Sequence, residues 1–474
     1  MSINKSFESK SFPDGLKLAD ITPVYKRTGS KSDKGNFRPV SILPVLSKIY
    51  EKAMHDQIST HFNNILSNRQ FGYRKGFSTQ TPLLVMTELW KKATDEKKKF
   101  AALLIDLSKA FDCISHDLLI AKLEAYGFEK SALDLVAAYL SNRKQRTRIG
   151  DSFSSWHDIL AGVPQGSILG PLLFNIYLRD MFYFLADKNV LNYADDTTPF
   201  AKADSWEQIS DELKEGTDII FNWLTYNQMK GNADKSELIA NNTSKELFVT
   251  IQGEKIFNSQ SGKILGMTFD NCLTFEPHIN TVCKIASQKL SALARIATYI
   301  DISKKRKLMN AFFRSQFSYC SLVWIFHTRK LQKKINNLHE RCLRIVYSDN
   351  DSTFEELLER DNAISHHDKN LQLLALELFK CKNNLSDLTK EIFIHEENLK
   401  TTRQTSYFRS REIRTVFNGE ESLSFLGPKI WEVLPEKLKN LNDLETFKEE
   451  IKHWKPTSCP CRNCRTYIDG VGFL

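Results

Sequence analysis

Apolar and polar positions alternate in short runs along the first hundred residues, as in ADITPVY (19–25), and recur at helical spacing in LSKIYEKAMHDQISTHF (46–62). Turn-forming residues at Thr28–Gly35 and Asn68–Gly76 separate such runs. KFAALLIDLS (99–108) is a continuous apolar run and predicts a buried strand. Helical spacing returns in CISHDLLIAKLEAYGF (113–128) and in SALDLVAAYLSNR (131–143). QRTRIGDSFSSWHDIL (145–160) predicts a hairpin turning near Gly150–Asp151. A Gly/Pro-rich turn, AGVPQGSILGP (161–171), leads into a predicted helix, LLFNIYLRDMFYFL (172–185). A hairpin around Asp195–Asp196, a helix over 205–229 and a strand KILGMTFD (263–270) follow. From about 275 to 395 the pattern is mostly helical, and the remainder is strand-poor. The order is an α+β part followed by an α-rich part.

Length and composition narrow the class. A chain of 474 residues with 41% hydrophobic and 26% charged residues has the make-up of a globular protein with two or three domains. No apolar run approaches the roughly 18 residues of a membrane span, and the first residues lack the apolar core of a secretion signal. The expected location is intracellular, nucleus or cytoplasm. Nine cysteines, scattered singly except near the end, point to a reducing compartment rather than a disulfide framework. The net charge of +9 is uneven: residues 1–76 carry +7 and residues 284–344 carry +12, which leaves the rest negative. Two basic regions around an acidic middle suit a polyanion held on both sides of a carboxylate-bearing centre, although solvated basic helices would give the same count.

The carboxylates are the first chemical signal. Alternation puts Leu104, Asp106 and Ser108 on one face of the 99–108 strand, and a carboxylate in such a run is costly unless something positive pairs with it. Asp195 and Asp196 stand side by side in LNYADDTTPF (191–200), where a solvated turn is the plain reading. If the fold gathers all three, a divalent cation with hard oxygen preference, Mg²⁺ or Mn²⁺, would relieve their repulsion.

The order of motifs is more specific. FAALLIDLSKAFD, GVPQGSILGPLLFNIYL, YADD, NADKSE and KILGMTFD resemble the successive palm motifs of reverse transcriptases. Within these, the chain is similar to the polymerase of non-LTR (LINE-type, Jockey-like) retrotransposons. LADITPVYKRTGSKSDKGNFRPVSILPVLSKIYEKAM and RQFGYRKGFST resemble that family's fingers, and FEPHINTVCKIASQKLSALARI, SYCSLVW and RCLRIVY its thumb. The resemblance implies an α+β right-hand polymerase: fingers 1–100, palm 101–274 with an antiparallel sheet and fingers elements, helical thumb 275–350, α-rich C-terminal region 351–457 and a cysteine-containing tail 458–474. It also implies an N-terminally truncated copy, since no endonuclease precedes the polymerase and the fingers begin short.

Residue roles follow from the same resemblance. Asp106, Asp195 and Asp196, with the main-chain carbonyl of Leu107, would hold two Mg²⁺ ions (Mn²⁺ as the alternative), and Lys235 would protonate the leaving pyrophosphate. Phe111 would exclude a ribose 2′-OH, while Gln165, Gly166, Arg38 and Arg74 would contact the incoming dNTP. LGMTFD would grip the primer. The implied partners are an RNA template, a DNA primer or nicked target DNA, and dNTPs. Two other readings are an inactive nucleic-acid-binding remnant and an RNA-copying RNA polymerase, the latter disfavoured by a bulky Phe111.

Weaker signals remain. His453, Cys459, Cys461 and Cys464 could supply four zinc ligands, although C-x-C-x₂-C fits no standard finger. The pair His366–His367 opens a helical run and reads as packing or surface; Trp324 and Trp431 read as core. On the thumb, helical spacing predicts Ile285, Leu290, Leu293 and Ile296 inward and Lys284 and Lys289 outward, with Lys304, Lys305, Arg306 and Lys307 forming a basic face.

Overall fold

The computed structural model describes residues 3–63, 65–108, 110–241, 243, 246–386, 390, 392–395, 407–415, 419–456, 459–462 and 464. Much of the expected 458–474 tail lies outside the described residues. After helix α1 (Ile3–Glu8), strands β1 (Leu18–Tyr25) and β2 (Phe37–Ile42) pair antiparallel, followed by helices α2 (Val45–Phe62) and α3 (Gln80–Asp95). Strand β3 (Lys99–Ser108) matches the apolar run that predicts it, and helices α4 (His116–Ala125) and α5 (Lys130–Leu140) follow. Strand β4 (Lys144–Ile149) turns at Gly150–Asp151 into β5 (Ser152–Phe153), as the sequence predicts, and also pairs with β6 (His157–Asp158). β4 lies parallel to β1, so the first sheet runs β2-β1-β4-β5.

The second sheet carries the site. Helices α6 (Gly170–Leu178) and α7 (Met181–Phe184) lead into the hairpin β7 (Val190–Tyr193)–β8 (Asp196–Ala203), then α8 (Trp206–Tyr226), β9 (Lys230–Ala240), β10 (Phe248–Ile251) and β11 (Glu254–Ser259). Six strands line up as β10-β11-β9-β3-β8-β7, antiparallel except for the β9–β11 pair. Alternation along β3 sends Phe100 and Ala102 to one core, and Ala101, Leu103, Ile105 and Leu107 to the other. The second core packs α2 and α4 to α8 on its face of the sheet. The first reaches from α3 through the helices after residue 275 to Trp454.

Several predicted elements differ. The helix expected over 172–185 breaks, because Asp180 accepts from Lys122 Nζ (2.7 Å) and Trp223 Nε1 (3.1 Å) while Arg179 donates to the Ile65 carbonyl. KILGMTFD is two strands, β12 (Ser261–Ile264) and β13 (Met267–Asp270), not one. Leu265 (φ +46°) and Gly266 (φ +82°) form its turn, the two left-handed positions of a tight hairpin.

Helices α9 (Glu276–Ile296), α10 (Ile302–Met309), α11 (Ser315–Ser318) and α12 (Arg329–Tyr347) follow, matching the mostly helical pattern expected from about residue 275. On α9 the buried line is Ile279, Cys283, Ala286, Leu290 and Leu293, in steps of three and four. Leu290 and Leu293 point inward as expected, but Ile285 and Ile296 are 38% and 42% exposed because they lie off that line. The basic run on α10 is not one free face. Lys305 is buried and donates to Ser348 Oγ (3.2 Å), Lys304 pairs with Asp301, and Arg306 pairs with the buried Asp361 at 2.8 Å. Asp361 also takes Arg314 and the Tyr347 hydroxyl, which ties α10 and α12 to α13 (Phe354–Arg360).

Helix α14 (His366–Lys382) and helices within 423–450 follow, with Trp324 and Trp431 buried as expected. This region is fastened to α3. Glu88 accepts from the amides of Leu423 (2.7 Å) and Ser424 (3.1 Å), and Asp95 from Arg411, Thr415 Oγ1 and the amides of Arg414 and Thr415. Both carboxylates are buried and answered by hydrogen bonds, the condition under which buried charge is tolerated.

Candidate active site

Register alone brings the three carboxylates to one end of the sheet. Asp106 continues the Phe100–Ala102–Leu104 face of β3, and Ile105 faces Thr197 on β8, which brings Asp106 level with Asp196. Tyr193 pairs with Asp196 across the two-residue turn Ala194–Asp195. Ala194 sits at φ +57°, a left-handed position that costs an L-residue about 1 kcal/mol.

The surroundings hold that turn. Asn192 Nδ2 donates to the Ala194 carbonyl (2.9 Å) and Thr197 Oγ1 (3.1 Å). The segment 69–72 docks alongside: Phe71 N donates to Asn192 O (2.9 Å) and Asn192 N to Arg69 O (3.1 Å). Gly72 is required here, since a Cβ on it would lie 2.4 Å from the Ala194 nitrogen.

The charges are only partly answered. Burial and the nearby Asp106 push the Asp195 carboxyl up, against its own backbone hydrogen bond and the positive field of Arg38. The Asp196 carboxyl is pushed up to about 6, by desolvation first and then by Asp195 and Asp106. Lys235 Nζ stands 3.5 Å from Asp106 Oδ2. It reaches there through an irregularity: Leu104 faces Glu237 but Asp106 faces Asn232, so the residues between them on β9 bulge out. Ser236 Oγ donates back to the Asn232 carbonyl (3.1 Å) inside that bulge. Lys263 and Leu265 of the β12–β13 hairpin line the same cleft as Asp106, Asp196 and Lys235. Tyr319 OH fixes the hairpin's turn by donating to the Leu265 carbonyl (2.5 Å).

Beside the carboxylates stands an aromatic wall. Phe111 stacks on Phe174, with centroids 4.7 Å apart and planes at 15°, and Tyr73 stands edge-on to it at 5.9 Å. No motif singled out Tyr73. Its phenol pKa is pushed up by burial and then by Asp195, so it borders the carboxylates as well as Phe111. The turn bearing Phe111 is strapped to the Gly/Pro loop by Val163 N to Phe111 O (2.9 Å) and Gly162 N to Ile114 O (2.8 Å). Gln165 Nε2 donates to Asp112 Oδ1 (3.1 Å), and Ser41 N donates to the Gln165 carbonyl (2.8 Å). Gly166 lies at φ +128°, where a Cβ would be 2.7 Å from the Ser41 carbonyl oxygen. Arg38 is exposed on β2, the strand that receives this loop. Glu51, also missed, is buried in α2 and accepts from the amides of Ile168 (2.6 Å) and Leu169 (3.3 Å), which fixes the loop's far end.

Two candidates sit elsewhere than in an open cleft. Arg74 donates to the carbonyls of Ser67 (2.6 Å) and Gln70 (3.1 Å) and lies over the Phe77 ring, bracing the docked segment. His453 is exposed and stands apart from the cysteines, whose sulfurs surround His367 instead. His367 takes that position because it opens α14 against the thumb, while its neighbour His366 stacks on Trp324 at 5.0 Å in the core.

A sheet of this order, with carboxylates on a hairpin and on the strand beside it and a helical unit packed behind, is the palm of a right-hand polymerase. The chain belongs to the reverse transcriptase (RNA-dependent DNA polymerase) family, whose model matches residues 26–269. It is 28% identical over 351 residues to a probable RNA-directed DNA polymerase from transposon BS of Drosophila melanogaster, covering 71% of this chain and 39% of that protein. It is 29% identical over 294 residues to the RNA-directed DNA polymerase from mobile element jockey of the same organism, covering 60% of this chain and 32% of that protein. The chain thus spans well under half the length of these relatives. No helix among the described residues is long and apolar enough to cross a membrane.

Proposed function

We propose that this chain is an RNA-directed DNA polymerase of a non-LTR retrotransposon, extending a DNA 3′-OH with dNTPs along an RNA template. The observation that carries this reading is a cleft lined by Asp106, Asp196 and Lys235, with Asp195 close enough to both other carboxylates to interact with them and Tyr73, edge-on to Phe111, bordering the group. The donor set fits hard divalent ions: it is all oxygen, and the Asp195 and Asp196 carboxyls are raised by burial first and then by their carboxylate neighbours, a cost that a bound cation would offset. Asp106, Asp195, Asp196 and the Leu107 carbonyl would hold two Mg²⁺ ions. Bound there, the pair would stabilise the attacking and leaving oxygens of the phosphoryl transfer.

The chain's own residues do the rest. Lys235 is 64% exposed, so it is free to turn from Asp106 and donate a proton to the departing pyrophosphate. Arg38 would neutralise the triphosphate, and Gly166, whose lack of a Cβ admits the Ser41 carbonyl, would present its backbone to the template–nucleotide pair. Gln165 and Phe111 would bound the sugar and base, with Arg74 bracing the wall behind them. The β12–β13 hairpin would steady the primer 3′ end. Primer extension on an RNA template with dNTPs and Mg²⁺ tests the reading. Full-length binding without any extension would leave an inactive remnant instead.

Metal binding should depend on pH in a set direction. With a folded pKa of about 6 against 3.8 unfolded, Asp196 makes the metal-free protein less stable as pH rises through that window. Mg²⁺ should remove this penalty, so the gain in Tm on adding Mg²⁺ should be larger at pH 7 than at pH 5. Thermal melts at both pH values, with and without the ion, measure it; an equal gain would mean that Asp196 is not a ligand.

Duplex grip is expected from the exposed lysines of the two long thumb helices. Lys284 on α9 and Lys330 and Lys333 on α12 are exposed, and α9 and α12 adjoin through Lys334 Nζ to Asn280 (2.7 Å). Replacing these three with Ala should lower the slope of log affinity against log salt by about one unit per lost phosphate contact. An unchanged slope would assign the grip to another surface.

A further inference from the structure

Away from the carboxylate cleft, one cluster of side chains has a complete metal donor set. His367, Cys459, Cys461 and Cys464 bring their ligand atoms within 4.8 Å of one another. His367 Nε2 lies 3.3, 3.7 and 3.5 Å from the sulfurs of Cys459, Cys461 and Cys464. A tetrahedral zinc with Zn–S near 2.3 Å and Zn–N near 2.05 Å separates nitrogen from sulfur by about 3.6 Å. The three observed distances bracket that value. One nitrogen and three sulfurs form a soft set that selects zinc over the hard ions suited to the carboxylates.

We propose that His367, Cys459, Cys461 and Cys464 form a structural zinc site that fastens the end of the described chain to the first turn of α14.

The surroundings suit a closed, structural site. Cys459 and Cys461 pack against the same core as the thumb and the C-terminal helices. Ser365 caps α14 through the Asp368 amide (3.1 Å), which sets the helix start and with it the position of His367. The neighbouring His327 is engaged at both ring nitrogens, with the Trp324 carbonyl (2.9 Å) and Gln332 Oε1 (2.8 Å), so four ligands complete the set. Arg462, within the cysteine cluster, reaches Glu421 at 3.5 Å, and Lys91 of α3 donates to the Glu421 carbonyl. The ion would therefore lock the tail beside the junction of α3, the thumb and the C-terminal helices.

The test uses the full chain purified under reducing conditions without chelator. Elemental analysis should find about one zinc per chain, and cobalt exchanged for it should give the visible absorption of a tetrahedral thiolate site. His367→Gln and Cys461→Ser should each lose most of the zinc, whereas His453→Gln should keep it. Zinc removal should also lower Tm, because the ion links segments far apart in the chain. No bound zinc and no cobalt–thiolate spectrum in the wild type would overturn the proposal, and that result holds even if a variant fails to fold. Full zinc retention in a folded His367→Gln, or a disulfide among the three cysteines, would overturn it equally.

Discussion

Asp195→Asn is expected to lower primer extension by about a thousandfold or more while RNA affinity changes by about threefold at most. The change keeps the side chain's shape and removes one negative charge. Asp195 follows the left-handed Ala194, in a turn clamped by Asn192 and by the approach of Gly72, so the backbone will hold the amide where the carboxylate was. An amide oxygen is a weaker ligand for a hard divalent ion, and the loss of several kcal/mol of transition-state stabilisation corresponds to about three factors of ten in rate. Template affinity rests on phosphate contacts made by basic residues elsewhere, so it stays nearly constant. Single-turnover extension and an RNA-binding isotherm on the same preparation measure both. Wild-type extension by the variant would remove Asp195 from catalysis.

What the sequence made legible depended on local pattern. The apolar run around Asp106 specified β3 to the residue, and the strand–turn–strand pattern specified the hairpin carrying Asp195 and Asp196. Register then brought them together without further information. Features made by tertiary contact were not legible. The bulge that delivers Lys235 to Asp106 arises from a pairing offset between β3 and β9, and no residue type within NADKSE announces it. Tyr73 lay beside the singled-out Arg74, but its edge contact with Phe111 comes from docking 69–72 against the hairpin.

Charge and apolar character misled in a similar way on the thumb. Lys305 and Arg306 looked like part of a basic face, yet Ser348 and the buried Asp361 hold them from other helices. Ile285 and Ile296 are apolar but sit off the line that α9 buries. The His/Cys cluster is the sharpest instance. His453 is near the cysteines in sequence, whereas His367, some ninety residues away, is near them in space.

Phe111→Val should lower the preference for dNTPs over rNTPs by about 10- to 100-fold, with dNTP incorporation reduced much less. Phe111 is half-buried, flat against Phe174 and edge-on to Tyr73, so its ring has little freedom to move aside for an added hydroxyl. The strap from Val163 and Gly162 fixes the turn that carries it. A rigid ring at the 2′ position would discriminate through a clash, and removing it leaves space rather than a new attraction, worth about 1.4–2.8 kcal/mol for that range. Valine is preferable to alanine because it leaves a smaller void against Phe174 and so a smaller cost in stability. Tyr73→Phe is the control: it removes the phenol that borders Asp195 but keeps the edge contact, and it should leave sugar discrimination intact. Competing dNTP and rNTP incorporation opposite one template base measures the ratio. Unchanged discrimination in Phe111→Val, with normal folding, would return Phe111 to a packing role and assign the sugar filter to another residue of the same wall.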